Sequence, residues 1–181
     1  MQNRRYSTEG IILNKTNYSE ADRIVTVLTR DYGKVRVIAK GVRKIKSRKR
    51  GHLEVFNQVK FSATKVHDMD LMTEVELIEP HANVKKDLRK VSVAYYLVEI
   101  ISKLTQTDEK NEFLYYFLAQ KLHELDTTHA LKTFRFDCAR ELLVRLGFWP
   151  ANLKLDNPDM IIEDVIEKKL STIRVGHAIM E

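Results

Sequence analysis

The first eighty residues alternate between apolar and polar side chains in five short stretches. Val59, Phe61 and Ala63 fall on one face of the fourth stretch, and Val75 and Leu77 fall on one face of the fifth. A period of two is typical of a strand with one buried face. The predicted strands cover residues 10–16, 23–30, 34–41, 56–65 and 71–79. The tetrapeptide DYGK between the second and third strands predicts a hairpin turn, with its glycine at positive φ.

The period of the pattern changes after Pro80. Apolar residues then recur every three or four positions, which predicts amphipathic helices. The predicted helices cover residues 84–105, 111–125, 128–146 and 157–171. We expect Leu88 and Tyr95 on the buried stripe of the first helix, and Thr128 as the cap of the third. Asn157, followed by proline, is expected to cap the last helix.

This order of elements predicts an α+β protein. Five strands in the first eighty residues, with a long connection after the third, favour a five-stranded OB-fold β-barrel, and a small sandwich is the alternative. An α-helical domain follows. We expect the two domains at residues 1–80 and 81–181. The chain of 181 residues, 44% of them hydrophobic, can bury a core of ordinary size.

Composition points away from membranes and disulfides. The chain contains no run of about eighteen apolar residues, and its first ten residues lack the apolar stretch of a signal peptide, so we expect a cytoplasmic protein. The single cysteine, Cys138, can form neither an internal disulfide nor a cysteine-rich zinc cluster. Because it lies on the apolar stripe of the third helix, we expect a packed thiol.

The sequence offers little for catalysis. It contains no glycine-rich phosphate loop and no nucleophile with a nearby base, so we expect no catalytic residue and no cofactor. His67, Asp68 and Asp70 are close enough in sequence to supply metal ligands, but they lie between two strands, where a polar turn is the ordinary explanation. We therefore expect no metal site.

Positive charge is concentrated in the first domain. The net charge is +6, and residues 1–80 hold 16 Lys/Arg against 10 Asp/Glu, whereas residues 81–181 hold 15 of each. Nine cations and no acid fall between Lys34 and Arg50. Such a stretch favours a polyanionic partner, because neutralised phosphates release condensed counterions. A solvated loop and a nuclear localisation patch have the same composition and stay alternatives.

The position of this charge also suits an OB-fold. Arg36 and Lys40 share a face of the third strand, so the basic strand face and the basic loop would be continuous. Single strands lie on the face of strands 2 and 3 and on neighbouring loops, where aromatic rings stack on bases. The rings available for base stacking are Tyr18, Tyr32, Phe56 and Phe61.

Residues 17–48, NYSEADRIVTVLTRDYGKVRVIAKGVRKIKSR, resemble the N-terminal domain of the RecO family of bacterial recombination mediators. SEADRIV, DYGKV and AKGVR occur at the family's spacing. LEVFNQV, DLMTEVELIEP, AYYLVEIISKLT and ARELLVRLGFWP extend the resemblance over about residues 7–150. Many members then carry a zinc module with two CxxC pairs. No cysteine follows Cys138 here, so we expect a short form without the zinc module and with a reduced C-terminal part.

The resemblance implies a non-enzymatic mediator of recombinational DNA repair in the bacterial cytoplasm, at the nucleoid. Family members bind single- and double-stranded DNA, anneal complementary strands and assist loading of RecA recombinase, with RecR and single-stranded DNA-binding protein as partners. The implied DNA contacts form the basic strip, which comprises Arg36, Lys40, Arg43, Lys44, Lys46, Arg48, Lys49 and Arg50. Arg23 also matches a family motif, and we expect it to be partly structural, paired with Glu20 or Asp22.

Two other functions are compatible with the same charge. An OB-fold protein that binds RNA would neutralise phosphates in the same way, and only contacts to the 2′-hydroxyl would distinguish the two polymers. Alternatively, the basic loop of a partner-binding module could contact an acidic protein segment. Such a module would have little affinity for oligonucleotides.

Overall fold

The computed structural model describes residues 5–66 and 69–173, and its first part is a closed barrel of five strands. The strands are β1 (Arg5–Asn17), β2 (Arg23–Thr29), β3 (Gly33–Ala39), β4 (Gln58–Thr64) and β5 (Asp70–Glu79). Around the barrel they follow the order β1-β2-β3-β5-β4, and β1 pairs with β4 to close it. This arrangement confirms the predicted OB-fold and excludes the small sandwich.

The barrel core follows the predicted alternation. Val59, Phe61 and Ala63 of β4 all point inward and are almost fully buried. β3 alternates in the same way, with Val35 and Val37 among its buried residues. Four of the barrel's strand pairs are antiparallel, whereas β3 and β5 are parallel and pair only at residues 37–38 with 70–71. The barrel is therefore weakly closed along this one seam.

The second part of the chain is helical. Its helices are α1 (Ala82–Lys86), α2 (Leu88–Leu104), α3 (Glu112–Thr127), α4 (Leu131–Arg145) and α5 (Pro158–Ile166). The first predicted helix is divided into α1 and α2 at Asp87, whose carboxylate accepts a hydrogen bond from the backbone N–H of Arg89 at 2.9 Å. An aspartate in that position caps a new helix. None of the helices within the described ranges is long and apolar enough to cross a lipid bilayer.

Of the two predicted N-terminal caps, one is confirmed and one is wrong. Asn157 caps α5 as predicted, because its side-chain oxygen accepts a hydrogen bond from the backbone N–H of Met160 at 3.2 Å. This helix ends at Ile166, five residues earlier than predicted. Thr128 does not cap α4, which begins at Leu131 without a side-chain cap.

The predicted buried stripe of α2 is wrong at two positions. Leu88 is 73% exposed and Tyr95 is 44% exposed, whereas Tyr96 is buried. The hydroxyl of Tyr96 donates to Asp159 at 2.6 Å, and the guanidinium of Arg135 donates to the same carboxylate at 2.7 Å. Arg135 also lies over the Tyr96 ring, 3.9 Å from its centroid. This polar contact joins α2, α4 and α5 and gives the buried Tyr96 hydroxyl a hydrogen-bond partner.

The chain divides into two compact units. One consists of Met1–His81 and Thr105–Ala119, and the other of Ala82–Leu104 and Gln120–Glu181. The predicted domains, 1–80 and 81–181, stay a prediction, and the units differ from them because Thr105–Ala119 belongs with the barrel. Within the barrel unit, the ammonium of Lys34 donates to the carbonyl of Thr105 at 2.7 Å, and Tyr115 accepts a hydrogen bond from Gln58 at 3.0 Å.

Candidate nucleic-acid interface

The connection between β3 and β4, residues 40–57, is a series of turns. Backbone hydrogen bonds join Lys44 to the carbonyl of Gly41 at 3.2 Å, and Ser47 to the carbonyl of Lys44 at 2.9 Å. Val42 and Leu53 from this connection are fully buried in the barrel core. Because both ends of the loop are fastened by apolar side chains, the basic residues between them face solvent.

Three hydrogen bonds join the start of this loop to the connection between β1 and β2. The carboxylate of Asp22 accepts from the backbone N–H of Gly41 at 2.8 Å. Arg43 donates its backbone N–H to the carbonyl of Ala21 at 2.9 Å and its guanidinium to the carbonyl of Ser19 at 2.8 Å. The motifs SEADRIV and AKGVR are therefore in contact, which sequence reasoning missed although it had singled out both.

The far end of the loop is held against β5. The ammonium of Lys49 donates to the carbonyl of Thr73 at 2.6 Å, and a ring nitrogen of His52 lies 3.3 Å from the carbonyl of Val75. Beyond the short β3–β5 pairing these carbonyls have no strand partner on that side, so side chains of the loop take the place of a strand. Lys49 is accordingly half-buried and has a structural role as well.

The other seven residues of the basic strip are exposed. Arg36 projects from the middle of β3, opposite Thr26 of β2, and the remaining residues follow along the loop. No residue of the basic strip forms an ion pair with a carboxylate of residues 5–66 or 69–173. The positive charge predicted from the sequence is therefore not neutralised by ion pairs within this part of the protein.

Glu54 lies in the same connection, and its carboxylate pairs with cations that do not belong to the basic strip. It forms an ion pair with Lys15 of β1, and its carboxylate lies 4.0 Å from the guanidinium of Arg23. The Nε of Arg23 also donates to Asn17 at 3.2 Å. Arg23 is thus held by Asn17 and Glu54, and the prediction that it pairs with Glu20 or Asp22 is wrong.

The four predicted stacking rings differ in position. Tyr18 is 59% exposed and directly precedes Ser19, whose backbone carbonyl accepts a hydrogen bond from the Arg43 guanidinium. Tyr32 is exposed but packs on Tyr6, with ring centroids 4.6 Å apart. It directly precedes β3, and Arg36, the first residue of the basic strip, follows four positions later on that strand.

The other two rings are not accessible to a ligand. Phe56 is 3% exposed and Phe61 is 1% exposed, and Phe61 belongs to the barrel core. Stacking requires an open ring face, so both residues are removed from the predicted set. Of the four predicted rings, Tyr18 and Tyr32 are exposed.

The remaining candidates for chemistry are engaged in structural contacts. His67 and Asp68 lie outside the described residues, and Asp70 accepts a hydrogen bond from the Tyr6 hydroxyl at 2.6 Å. Burial, followed by the contact with Asp70, raises the pKa of Tyr6. Burial also raises the pKa of Cys138 to about 12, so its thiol stays protonated at neutral pH. Among the residues placed by the structure, no cluster of His, Cys, Asp and Glu could hold a metal ion.

The chain matches two family models that together span both parts of the fold. The model described as Recombination protein O N terminal matches residues 1–81, which contain the barrel. The model described as Recombination protein O C terminal matches residues 85–151, which contain α2, α3 and α4.

Similar full-length proteins carry a name that agrees with these models. The DNA repair protein RecO of Thermoanaerobacter sp. (strain X514) is 40% identical over 126 residues, 68% of this chain and 50% of the relative. Its counterpart in Caldanaerobacter subterraneus subsp. tengcongensis is 35% identical over 147 residues, 79% of this chain and 58% of the relative. The DNA repair protein RecO of Roseiflexus sp. (strain RS-1) is 31% identical over 150 residues, 83% of this chain and 53% of the relative. The chain thus spans about half the length of these relatives.

Proposed function

Because the chain belongs to the recombination protein O family, we propose that it is a DNA-binding mediator of recombinational DNA repair. The observation that carries this proposal is the basic strip, whose exposed cations have no carboxylate partner within the described ranges. In this proposal residues 1–80 are the DNA-binding domain, and residues 81–181 form a helical domain that supports it. The protein would act in the bacterial cytoplasm, at the nucleoid.

The basic strip would bind DNA through its phosphates. Each phosphate that a lysine or arginine neutralises releases a condensed counterion, a gain that is independent of base sequence. Single and double strands would therefore both bind. On a single strand, the exposed ring of Tyr18 would stack on a base next to phosphates held by Arg43 and its neighbours.

The basic strip would also serve the annealing of complementary strands and the loading of RecA recombinase. Neutralised backbones repel each other less, so two complementary strands held by the protein would pair faster. No covalent bond is made or broken in such a reaction, so it requires no catalytic residue. Family membership supports RecR and single-stranded DNA-binding protein as partners.

Competition between nucleic acids tests this function. A labelled single-stranded DNA bound to the protein would be challenged with unlabelled single-stranded DNA, duplex DNA and RNA of equal length at several salt concentrations. We expect both DNA forms to compete, and more weakly at high salt. Clearly stronger competition by RNA would indicate an RNA-binding protein. No binding of any oligonucleotide would favour the partner-binding module.

A further inference from the structure

Ile45 is the most exposed large apolar side chain in the described part of the molecule. It is 94% exposed, whereas Val42 and Leu53 of the same loop are fully buried. The loop therefore has a core available to its aliphatic residues, and Ile45 alone among these three is directed away from that core. Its two chain neighbours, Lys44 and Lys46, are exposed cations of the basic strip.

The backbone around Ile45 is defined by hydrogen bonds. The backbone N–H of Ser47 donates to the carbonyl of Lys44 at 2.9 Å, which places Ile45 at the second position of a turn. The preceding residues are joined to the β1–β2 connection through Gly41 and Arg43. A side chain projecting from an anchored turn loses little conformational freedom on binding, so it can act as a rigid wedge.

A single isoleucine at the surface is common and needs no functional explanation. Ile45 differs because it lies between two exposed lysines of the basic strip. A membrane anchor needs an apolar face rather than one residue. An acidic protein segment would also match the cations, but the name of the similar proteins, DNA repair protein, favours nucleic acid. Nucleic acid offers both features at once, since phosphates lie outside and stacked apolar bases lie between them. Apolar side chains such as Ile, Leu and Met are known to enter base steps and unstack them.

We propose that Ile45 inserts between adjacent bases of a DNA single strand, while Lys44 and Lys46 contact the flanking phosphates. This inference rests on the proposed DNA binding and adds the residue that separates the bases. Insertion would break stacking within one strand and so expose base edges for pairing with a complementary strand. The stacking of Tyr18 and the insertion of Ile45 would then act on different bases of the same strand.

Oligonucleotides that carry 2-aminopurine test the insertion, because the fluorescence of this base rises when it is unstacked. The full chain would be compared with Ile45→Ser, which removes the wedge, and with Ile45→Leu, which keeps an aliphatic group. Ile78→Ser is the matched control, since Ile78 is an exposed isoleucine on β5, 45% exposed and outside the basic strip. Each protein would be added to saturation, and binding would be followed separately by gel shift.

We expect the unaltered chain, Ile45→Leu and Ile78→Ser to raise the fluorescence, and Ile45→Ser to lose the rise. Ile45→Ser should bind roughly tenfold more weakly, as expected for one buried aliphatic side chain. Its salt dependence should not change, because every cation is kept. A full fluorescence rise with Ile45→Ser would overturn the insertion and leave the proposed function standing. No binding by the unaltered chain would overturn both.

The same proteins would be tested with vesicles of phosphatidylcholine and phosphatidylserine. We expect no sedimentation with the vesicles beyond what the cations of the basic strip produce, and no difference between Ile45→Ser and Ile78→Ser. Sedimentation that Ile45→Ser alone abolishes would assign Ile45 to a membrane surface and overturn the insertion.

Discussion

Gly41 lies within the basic strip, between Lys40 and Arg43, in a conformation that other residues adopt with strain. Its φ is +66°, and its backbone N–H is held by the carboxylate of Asp22. A Cβ atom at this position would meet only the far end of the Lys44 side chain, at 3.8 Å. Space is therefore available, and the requirement for glycine comes from the backbone angle.

Gly41→Ala should consequently destabilise the protein by about 1 kcal/mol through backbone strain alone. The matched control is Gly51→Ala in the same connection, because Gly51 is not among the glycines at positive φ and a Cβ there would meet nothing within 4 Å. Urea unfolding of both variants measures the difference. Equal stability of the two variants would mean that the angle at Gly41 costs nothing.

At the scale of residues, the sequence predicted the position of charged side chains better than the exposure of aromatic rings. Seven of the eight residues of the basic strip are exposed, because lysine and arginine are costly to bury, and Lys49 is half-buried. Phe61 was expected both on the face of Val59 and Ala63 and as an open ring for stacking, and these two predictions exclude each other. The barrel buries that face, so the first prediction is confirmed and the second fails. The contact between Asp22 and Gly41 depends on the register of β2 and β3, in which Arg23 pairs with Ala39, and apolar alternation alone does not give that register.

At the scale of elements, one carboxylate joins the chain after α5 to α2. Glu99 of α2 accepts hydrogen bonds from Lys103 at 2.7 Å, from the backbone N–H of Ser171 at 2.9 Å, and from both the backbone N–H and the hydroxyl of Thr172. Burial alone would raise the pKa of Glu99, but the hydrogen bonds from Lys103, Thr172 and Ser171 outweigh it and lower the pKa to about 2. The contact therefore depends on the charged carboxylate.

Glu99→Gln should destabilise the protein at neutral pH by roughly 2 kcal/mol, since several hydrogen bonds to a charge are weakened. The lowered pKa means that the stabilisation is fully present above the ordinary glutamate value of 4.5, and is lost as the pH falls from there through about 2. Urea unfolding at pH 7 and at pH 3 measures both effects. The variant should lose less stability on acidification than the unaltered chain.

Glu167→Gln is the control for that experiment, because Glu167 is exposed and lies after α5, in the same stretch of chain as Ser171 and Thr172. It should unfold like the unaltered chain at both pH values. If Glu99→Gln and Glu167→Gln behaved alike, the hydrogen bonds of Glu99 would not stabilise the helical unit.

The helical elements also mark the limit of periodicity as a guide. Apolar spacing correctly predicted that residues 88–104 form a helix, but it placed Leu88 and Tyr95 on the buried side. A tyrosine buries readily when its hydroxyl has a partner, and Tyr96 finds Asp159, which is sixty-three positions away in the sequence. The partner that allows Tyr96 to be buried is therefore outside the reach of a local pattern. Asn157 was predictable, because a cap acts on its own helix.

At the scale of the whole molecule, the uneven charge distribution predicts strongly salt-dependent DNA binding. If about six phosphates of a single strand are neutralised, the log–log slope of affinity against salt should be roughly −4, a loss of a few hundred-fold between about 50 and 200 mM. The charge-removed variant replaces six residues by Ala: Arg43, Lys44, Lys46, Arg48, Lys49 and Arg50. Its slope should be much flatter, as measured by fluorescence anisotropy.

A second variant controls for total charge. It replaces an equal number of exposed cations in the helical unit by Ala, namely Lys86, Arg89, Lys132, Arg140, Lys154 and Lys168. Both variants lose the same net charge, so a difference between them reports position. The control variant should keep the slope of the unaltered chain. A slope flattened equally by both variants would place the DNA elsewhere or spread it over the entire surface.

The proposed mechanism finally predicts annealing without an energy source. Charge neutralisation by the basic strip lowers the repulsion between two DNA backbones, and this effect consumes no nucleotide. Two labelled complementary oligonucleotides should therefore pair faster with the protein, equally with and without ATP, and should stay intact on a denaturing gel. The acceleration should fall as salt rises and should be weaker for the charge-removed variant than for the control variant. A requirement for ATP, or strand cleavage abolished by a chelator, would contradict a mediator that acts through charge alone.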